Sequence, residues 1–184
     1  MNIRTGRLLL RQLELSDAAD IQRLAGDRDV ASTTRDIPYP YEDGTAETWI
    51  NSCWGKTTAG ELAIFAITLQ TDGSFLGAIG LGRDANGAEA ELSYWVGKPF
   101  WNQGYATEAV KAVIHHGLIE LKLDRVYAAH FTRNPASGRV MQKAGMLHEG
   151  FLKRHTEKWG QLEDLELYWV TREEFERRGS TGSP

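Results

Sequence analysis

The stretch "YWVGKPFWNQGYATEAV", Tyr94 to Val110, does most to limit what this chain can become. A strand-like run ends at Gly97 and Pro99, the chain turns again at Gly104, and a helical pattern begins at once. Ala106, Ala109, Val110, Val113, Ile114, Leu118 and Leu121 recur every third or fourth position, so one face of the helix from Tyr105 to Leu121 must be buried. The first N–H groups of a helix have no internal partner, and their aligned dipoles make that end partly positive. Gly104 has no Cβ, so an anion can come close to the backbone there. Asn102, Gln103, Tyr105, Ala106 and Thr107 bring further amides. Two readings fit: a phosphate-binding mouth whose donors are backbone, or a plain helix start with glycine for the turn.

The rest of the chain alternates between periods of two and 3.6. "RLLLRQLEL" reads as a strand, and Ser16 as the cap of a short helix ending at Gly26. Residues 27–42, with Pro38 and Pro40, read as irregular. Asp43 reads as the cap of a second helix carrying Trp49, Ile50, Cys53 and Trp54 on one face. "LAIFAITLQ", "FLGAIGLG" and "AEAELSYWVG" read as strands joined by turns at Asp72–Gly73 and Asn86–Gly87. After the central helix come the strand "RVYAAHF", a short helix in "NPASGRVMQKAG", two closing strands and a last helical segment. This order predicts an α+β fold, a mixed sheet with helices on both faces. Residues 1–178 are expected to form one domain and 179–184 a disordered tail.

Composition narrows the function. With 184 residues, a net charge of −4 and pI near 5.8, the chain has no basic excess to hold a nucleic acid backbone. No apolar run is long enough to span a membrane, the N-terminus does not read as a signal peptide, and the single Cys53 allows no internal disulfide. The expectation is a soluble, cytoplasmic protein, monomer or homodimer, with no nucleic acid, membrane or metal partner. "GKTT" at 55–58 lacks the earlier glycine of a phosphate loop, since Ile50 stands there. His115 and His116 are adjacent on a helix and point about 100° apart, so they cannot clasp one metal.

Taken together, "WNQGYATEA", "TGRLLLRQLELSDA" and "NPASGRVMQKAGMLHEGFL" resemble, in that family's order, the GNAT N-acetyltransferase superfamily and its ribosomal-protein N-acetyltransferase branch (the RimJ and RimL type). The resemblance spans about residues 3 to 170. Gly104 and Ala106 match the acyl-coenzyme A signature, while Trp101 stands where arginine or glutamine is common. The resemblance implies the GNAT fold and acetyl transfer from acetyl-coenzyme A to a primary amine by direct attack in a ternary complex. It places the pyrophosphate on the amides of Asn102, Gln103, Gly104, Tyr105, Ala106 and Thr107. It runs the pantetheine arm beside Tyr94, Trp95 and Val96, where this strand splays from "RVYAAHF".

Asn134 is also a good helix cap, and Pro135 suits the first helical position. The resemblance adds a bond from Asn134 to the pantetheine and makes Ser137 the acid near the departing thiolate. Lys143 and Arg139 approach the 3′-phosphate or stay solvated. Acetyl transfer needs a neutral amine, hence a base, commonly a carboxylate. Glu91 leads, on a strand face shared with Ser93 and Trp95; Glu157 is second and Asp164 third, the last with a structural or orienting role. A strand N–H near Trp95 or Val96 is the donor for the charge that develops on the carbonyl oxygen. Asp36, Tyr39, Tyr41, Trp49, Trp54 and Trp159 are candidates for the acceptor pocket, Trp49 and Trp54 equally for the core. A protein N-terminus, ribosomal or other, is the first acceptor class; a small amine, polyamine or aminoglycoside is the second. A coenzyme-A-binding sensor without catalysis is the alternative outside the enzyme class.

Overall fold

The computed structural model describes residues 2–180. Eight strands form one sheet: β1 (Ile3–Arg4), β2 (Leu8–Arg11), β3 (Leu62–Leu69), β4 (Phe75–Arg83), β5 (Glu89–Val96), β6 (Arg125–Phe131), β7 (Leu147–Lys158) and β8 (Gln161–Thr171). Their spatial order is β1-β2-β3-β4-β5-β6-β8-β7. All neighbours are antiparallel except β5 and β6, which the helix α4 (Tyr105–His115) joins by a parallel crossover. The helices are α1 (Ala18–Ala25), α2 (Arg28–Thr33), α3 (Thr45–Thr58), α4, α5 (Pro135–Lys143) and α6 (Arg172–Ser180).

The two faces of the sheet bury separate cores. On one, Val110, Val113, Ile114 and Leu118 pack on Leu81, Leu92 and Val126. Each such side chain, fully buried, contributes about 1.5–3 kcal/mol of transfer free energy. On the other, Ile21 and Leu24 of α1 and Ile50 and Cys53 of α3 pack against Ala66 and Phe75. Strand alternation therefore sends Leu92 and Val96 toward α4, and Glu91, Ser93 and Trp95 toward α1 and α3.

The structure departs from the local signals in five places. Ser16 does not cap α1; a 3-10 turn at Leu15–Asp17 precedes it, closed by a capping box between Glu14 and Asp17. Asp17 is nearly buried and bonds the Arg11 guanidinium twice, at 2.9 and 2.6 Å. Residues 27–42 are not all irregular, because Asp27 accepts from the N–H groups of Asp29 and Val30 and so starts α2. Asp43 is not the cap of α3; Gly44 holds that place at φ 80°. The central helix is regular only to His115, and His116–Glu120 continue it as a π turn. Residues 179 and 180, expected in the tail, end α6, and residues 181–184 lie outside the described residues.

Candidate active site

The sheet opens beside α4. Pairing between β5 and β6 covers only Glu89↔Arg125, Ala90↔Val126 and Glu91↔Tyr127, although β5 runs on to Val96 and β6 to Phe131. The Gly97 N–H bonds Leu76 O, which sets the hydrogen-bonding phase between β4 and β5. In that phase the backbone groups of Trp95 face β4, while those of Tyr94 and Val96 face the gap. Of the two candidate strand donors, Val96 therefore keeps its place and Trp95 loses it, its amide being used within the sheet. Trp101 donates from Nε1 to Val96 O at 2.6 Å and so fixes the end of β5. That contact gives Trp101 a structural use at the position where the resemblance leads one to expect arginine or glutamine.

The turn after β5 exposes a row of donors. Asn102 and Gly104 have positive φ, 60° and 82°. None of the six N–H groups from Asn102 to Thr107 finds a protein acceptor among the described residues; the first helical bond is Glu108 N–H to Gly104 O. A concave run of free amides at a helix start is an anion site by construction. Arg7, which no local pattern places here, sits beside it. Its Nη1 donates to Gln103 O at 2.9 Å, its Nε pairs with Glu108 at 2.7 Å, and its guanidinium lies 4.5 Å over the Tyr105 ring. Burial pushes the Glu108 carboxyl up, but the Thr5 hydroxyl and Arg7 outweigh it and hold Glu108 below its usual range.

A cavity of about 760 Å³ joins this mouth to the opposite face of the sheet. Asn102, Gly104, Tyr105, Ala106 and Thr107 line one end with Asn134, Ser137 and Lys143. Tyr94, Trp95 and Val96 line the middle; Arg35, Asp36, Tyr41, Trp49 and Glu91 line the other end. The Gln103 side chain turns away to Pro99 O. Asn134 stands at the N-cap of α5, ahead of Pro135, but its side chain makes no capping hydrogen bond, and its amide is left without a partner among the described residues.

Ser137 is within 2.7 Å of the Tyr94 hydroxyl, Oγ to Oη. Burial pushes the Tyr94 phenol up to about 12, with the Ser137 bond pulling the other way. Sequence reasoning placed Tyr94 only along the cofactor; that its hydroxyl meets Ser137 needed the tertiary fold. His130 also lines the cavity unforeseen, its Nδ1 donating to Phe131 O and its Nε2 buried without a partner.

The three carboxylates separate. Glu91 reaches the cavity, bonded to Arg35 Nη2 at 2.9 Å. Glu157 is exposed and lines neither cavity described here, because its neighbour Lys158 takes the inward position on β7. Asp164 accepts from Arg154 N–H at 2.7 Å and holds a bulge in β7. Of the aromatic residues expected at the acceptor, Tyr41 and Trp49 line the cavity. Trp54 donates to Leu13 O, and the Tyr39 and Trp159 rings meet at a tilt of 47° at the surface.

A mixed sheet split between its parallel strands, beside a helix whose first amides are bare, is the architecture of an N-acyltransferase. The chain belongs to the GNAT family of N-acetyltransferases: the Acetyltransferase (GNAT) domain matches residues 7–147. A relative described as the uncharacterized N-acetyltransferase YnaD of Bacillus subtilis is 30% identical over 95% of this chain and 99% of its own length. A solved GNAT-family acetyltransferase of Bacillus anthracis superposes with a TM-score of 0.85 at 26% identity, covering 95% of this chain and 100% of that one. Mycobacterium smegmatis RimJ, solved with a coenzyme A disulfide, superposes at 0.84 with 25% identity, covering 99% and 93%.

Proposed function

We propose that this N-acetyltransferase uses acetyl-coenzyme A and a primary amine, joined directly in a ternary complex. The observation that carries the reading is the gap between β5 and β6 opening onto six unpartnered amides. The RimJ relative, crystallised with a coenzyme A disulfide, supports it. Acetyl-coenzyme A supplies an acyl carbon activated as a thioester.

The residues divide the work by position. The amides of Asn102, Gln103, Gly104, Tyr105, Ala106 and Thr107 take the pyrophosphate, and Lys143 and Arg7 add positive charge at the rim. Tyr94 and Val96 offer N–H and C=O groups to the pantetheine amides, as an added strand would receive them. Asn134 contributes its free side-chain amide from across the gap. Trp95 borders the arm with its ring, not its backbone. Glu91 accepts, through water, the proton that the acceptor ammonium must lose. The amine lone pair then forms the C–N bond as the C–S bond breaks, and a β5 N–H that faces the gap and is not engaged by the arm meets the charge that builds on the carbonyl oxygen. The Tyr94–Ser137 pair gives a proton to the departing thiolate, the new amide nitrogen loses its extra proton to water, and the pair regains its own from water. Tyr94 remains protonated at neutral pH and can recharge the weaker acid Ser137. Glu157 has no part in this scheme.

A protein N-terminus, ribosomal or other, and a small amine would both enter from the side of Arg35 and Trp49. Thiol release from acetyl-coenzyme A with a panel of peptides, polyamines, aminoglycosides and amino acids tests the reading. Turnover with an amine supports it. Tight coenzyme A binding with no turnover across the panel favours a sensor without catalysis.

A further inference from the structure

The acceptor end of the cavity carries an ion pair in place of a lone carboxylate. Arg35 Nη2 donates to Glu91 Oε1 at 2.9 Å, and its Nε lies 3.6 Å from Asp36 Oδ2. The pair stands where the main cavity meets a second one of about 420 Å³, and both residues line both cavities. Arg35 is not on a loose loop. Lys158, buried, donates from Nζ to Ile37 O at 2.7 Å and to Arg35 O at 3.4 Å. Arg133 donates to Ser32 O at 2.7 Å. The segment from 32 to 37 is thus tied to β7 and to the end of β6, and the guanidinium is presented from a fixed backbone. The cavity that it faces holds apolar and aromatic side chains, Ile37, Tyr41, Trp49, Ile64, Trp95 and Phe100, alongside the hydroxyls of Thr33, Thr34, Thr45, Thr48 and Ser52.

Building on the acetyl-transfer reading, we propose that Arg35 and Glu91 form an exchangeable pair that selects an acceptor bearing a carboxylate beside its amine, with an apolar side chain. An α-amino acid such as leucine or tryptophan has that form. Its carboxylate takes the guanidinium in a forked contact, and its ammonium takes Glu91, so two charges replace two charges and none is stranded. Its side chain fills the apolar wall. An amine without the carboxylate draws Glu91 away and leaves Arg35 facing Asp36 alone, which is largely exposed. A polyamine must seat its cations beside a guanidinium, which costs repulsion.

The test compares leucine with leucinamide and isoamylamine, and tryptophan with tryptamine, on the full-length chain. Two readouts separate the outcomes. Calorimetry with the amino acid or its amide, in the presence of coenzyme A, reads the pair directly; leucine is expected to bind about tenfold or more tighter than leucinamide. Turnover of acetyl-coenzyme A should show the same order in kcat/KM. In Arg35→Gln the compounds should converge to within about threefold of one another, because the carboxylate has lost its guanidinium partner. Equal binding of acid and amide overturns the proposal. So does a preference that survives Arg35→Gln, or faster acetylation of spermidine or a peptide N-terminus than of any amino acid. Turnover without a carboxylate preference overturns this inference alone. An absence of turnover with every amine overturns the transfer reading, and the calorimetric ratio still decides the role of Arg35.

Discussion

Gly104→Ala separates the backbone requirement of the turn from its use as an anion site. Gly104 sits at φ 82°, where an L side chain costs roughly 1–2 kcal/mol. Gly73, in the β3–β4 turn, sits at φ 75° with nothing within 4 Å of an added Cβ, so Gly73→Ala carries the same backbone cost far from the cavity. Both variants should lose about 1–2 kcal/mol in urea denaturation. They should differ in ligand binding. At Gly104 the new methyl lies 3.3 Å from Arg7 Nη2 and in the cavity wall, so it crowds the anion off its amides. Loss of one charge-assisted hydrogen bond is worth about 1.5–3 kcal/mol, a weakening of coenzyme A by roughly ten- to 150-fold. Calorimetry with coenzyme A on both variants reads this, with Gly73→Ala expected to keep the wild-type Kd. Equal affinity in Gly104→Ala and Gly73→Ala would refute the idea that the diphosphate rests on this turn.

Two further substitutions address the chemistry. Glu91→Gln should lower kcat/KM by about 10²-fold or more at neutral pH, the usual scale of base catalysis, and less at high pH, where more of the amine is already neutral; a loss that is constant with pH removes Glu91 as base. Tyr94→Phe should change the alkaline limb of stability. Its phenol is raised to about 12 in the fold from 10.0, so the folded state holds the proton longer than the unfolded chain does. That contribution is complete below pH 10 and is lost as pH rises toward 12, on the order of 2–3 kcal/mol. Tyr94→Phe should flatten that fall in denaturation curves taken across this window; an unchanged slope contradicts the burial of the hydroxyl against Ser137.

The sheet and its connections were legible because strand runs and turn pairs are local. "DG" and "NG" marked β-turns that the fold contains, and the apolar spacing from Ala106 to Leu118 defined α4 and its buried face. The glycine mouth was legible for the same reason, since a helix start without a side-chain cap is a sequence-local event. Helix caps were less so. Asp17, Asp27 and Gly44 each compete with a neighbour of similar chemistry, and the winner depends on Arg11 or on the fold of the turn. Contacts between distant segments were not legible at all. Arg7 reaches Gln103 and Glu108 across about a hundred residues, Arg35 reaches Glu91, and Tyr94 reaches Ser137. Nor could the sequence tell which of Glu157 and Lys158 faces inward on β7, since one residue of slip on a strand exchanges the two; the fold turns Lys158 in and leaves Glu157 exposed.

Amide hydrogen exchange at Tyr94 and Val96 tests the open gap most directly. With the chain alone, these two N–H groups should exchange faster than that of Trp95, which is bonded to β4. Coenzyme A should slow both by about tenfold or more, as a new hydrogen bond requires, while 3′,5′-adenosine bisphosphate, which lacks the pantetheine arm, should leave them fast. Protection of Tyr94 and Val96 in the free chain, or no change on adding coenzyme A, would mean that β5 and β6 are closed to the ligand.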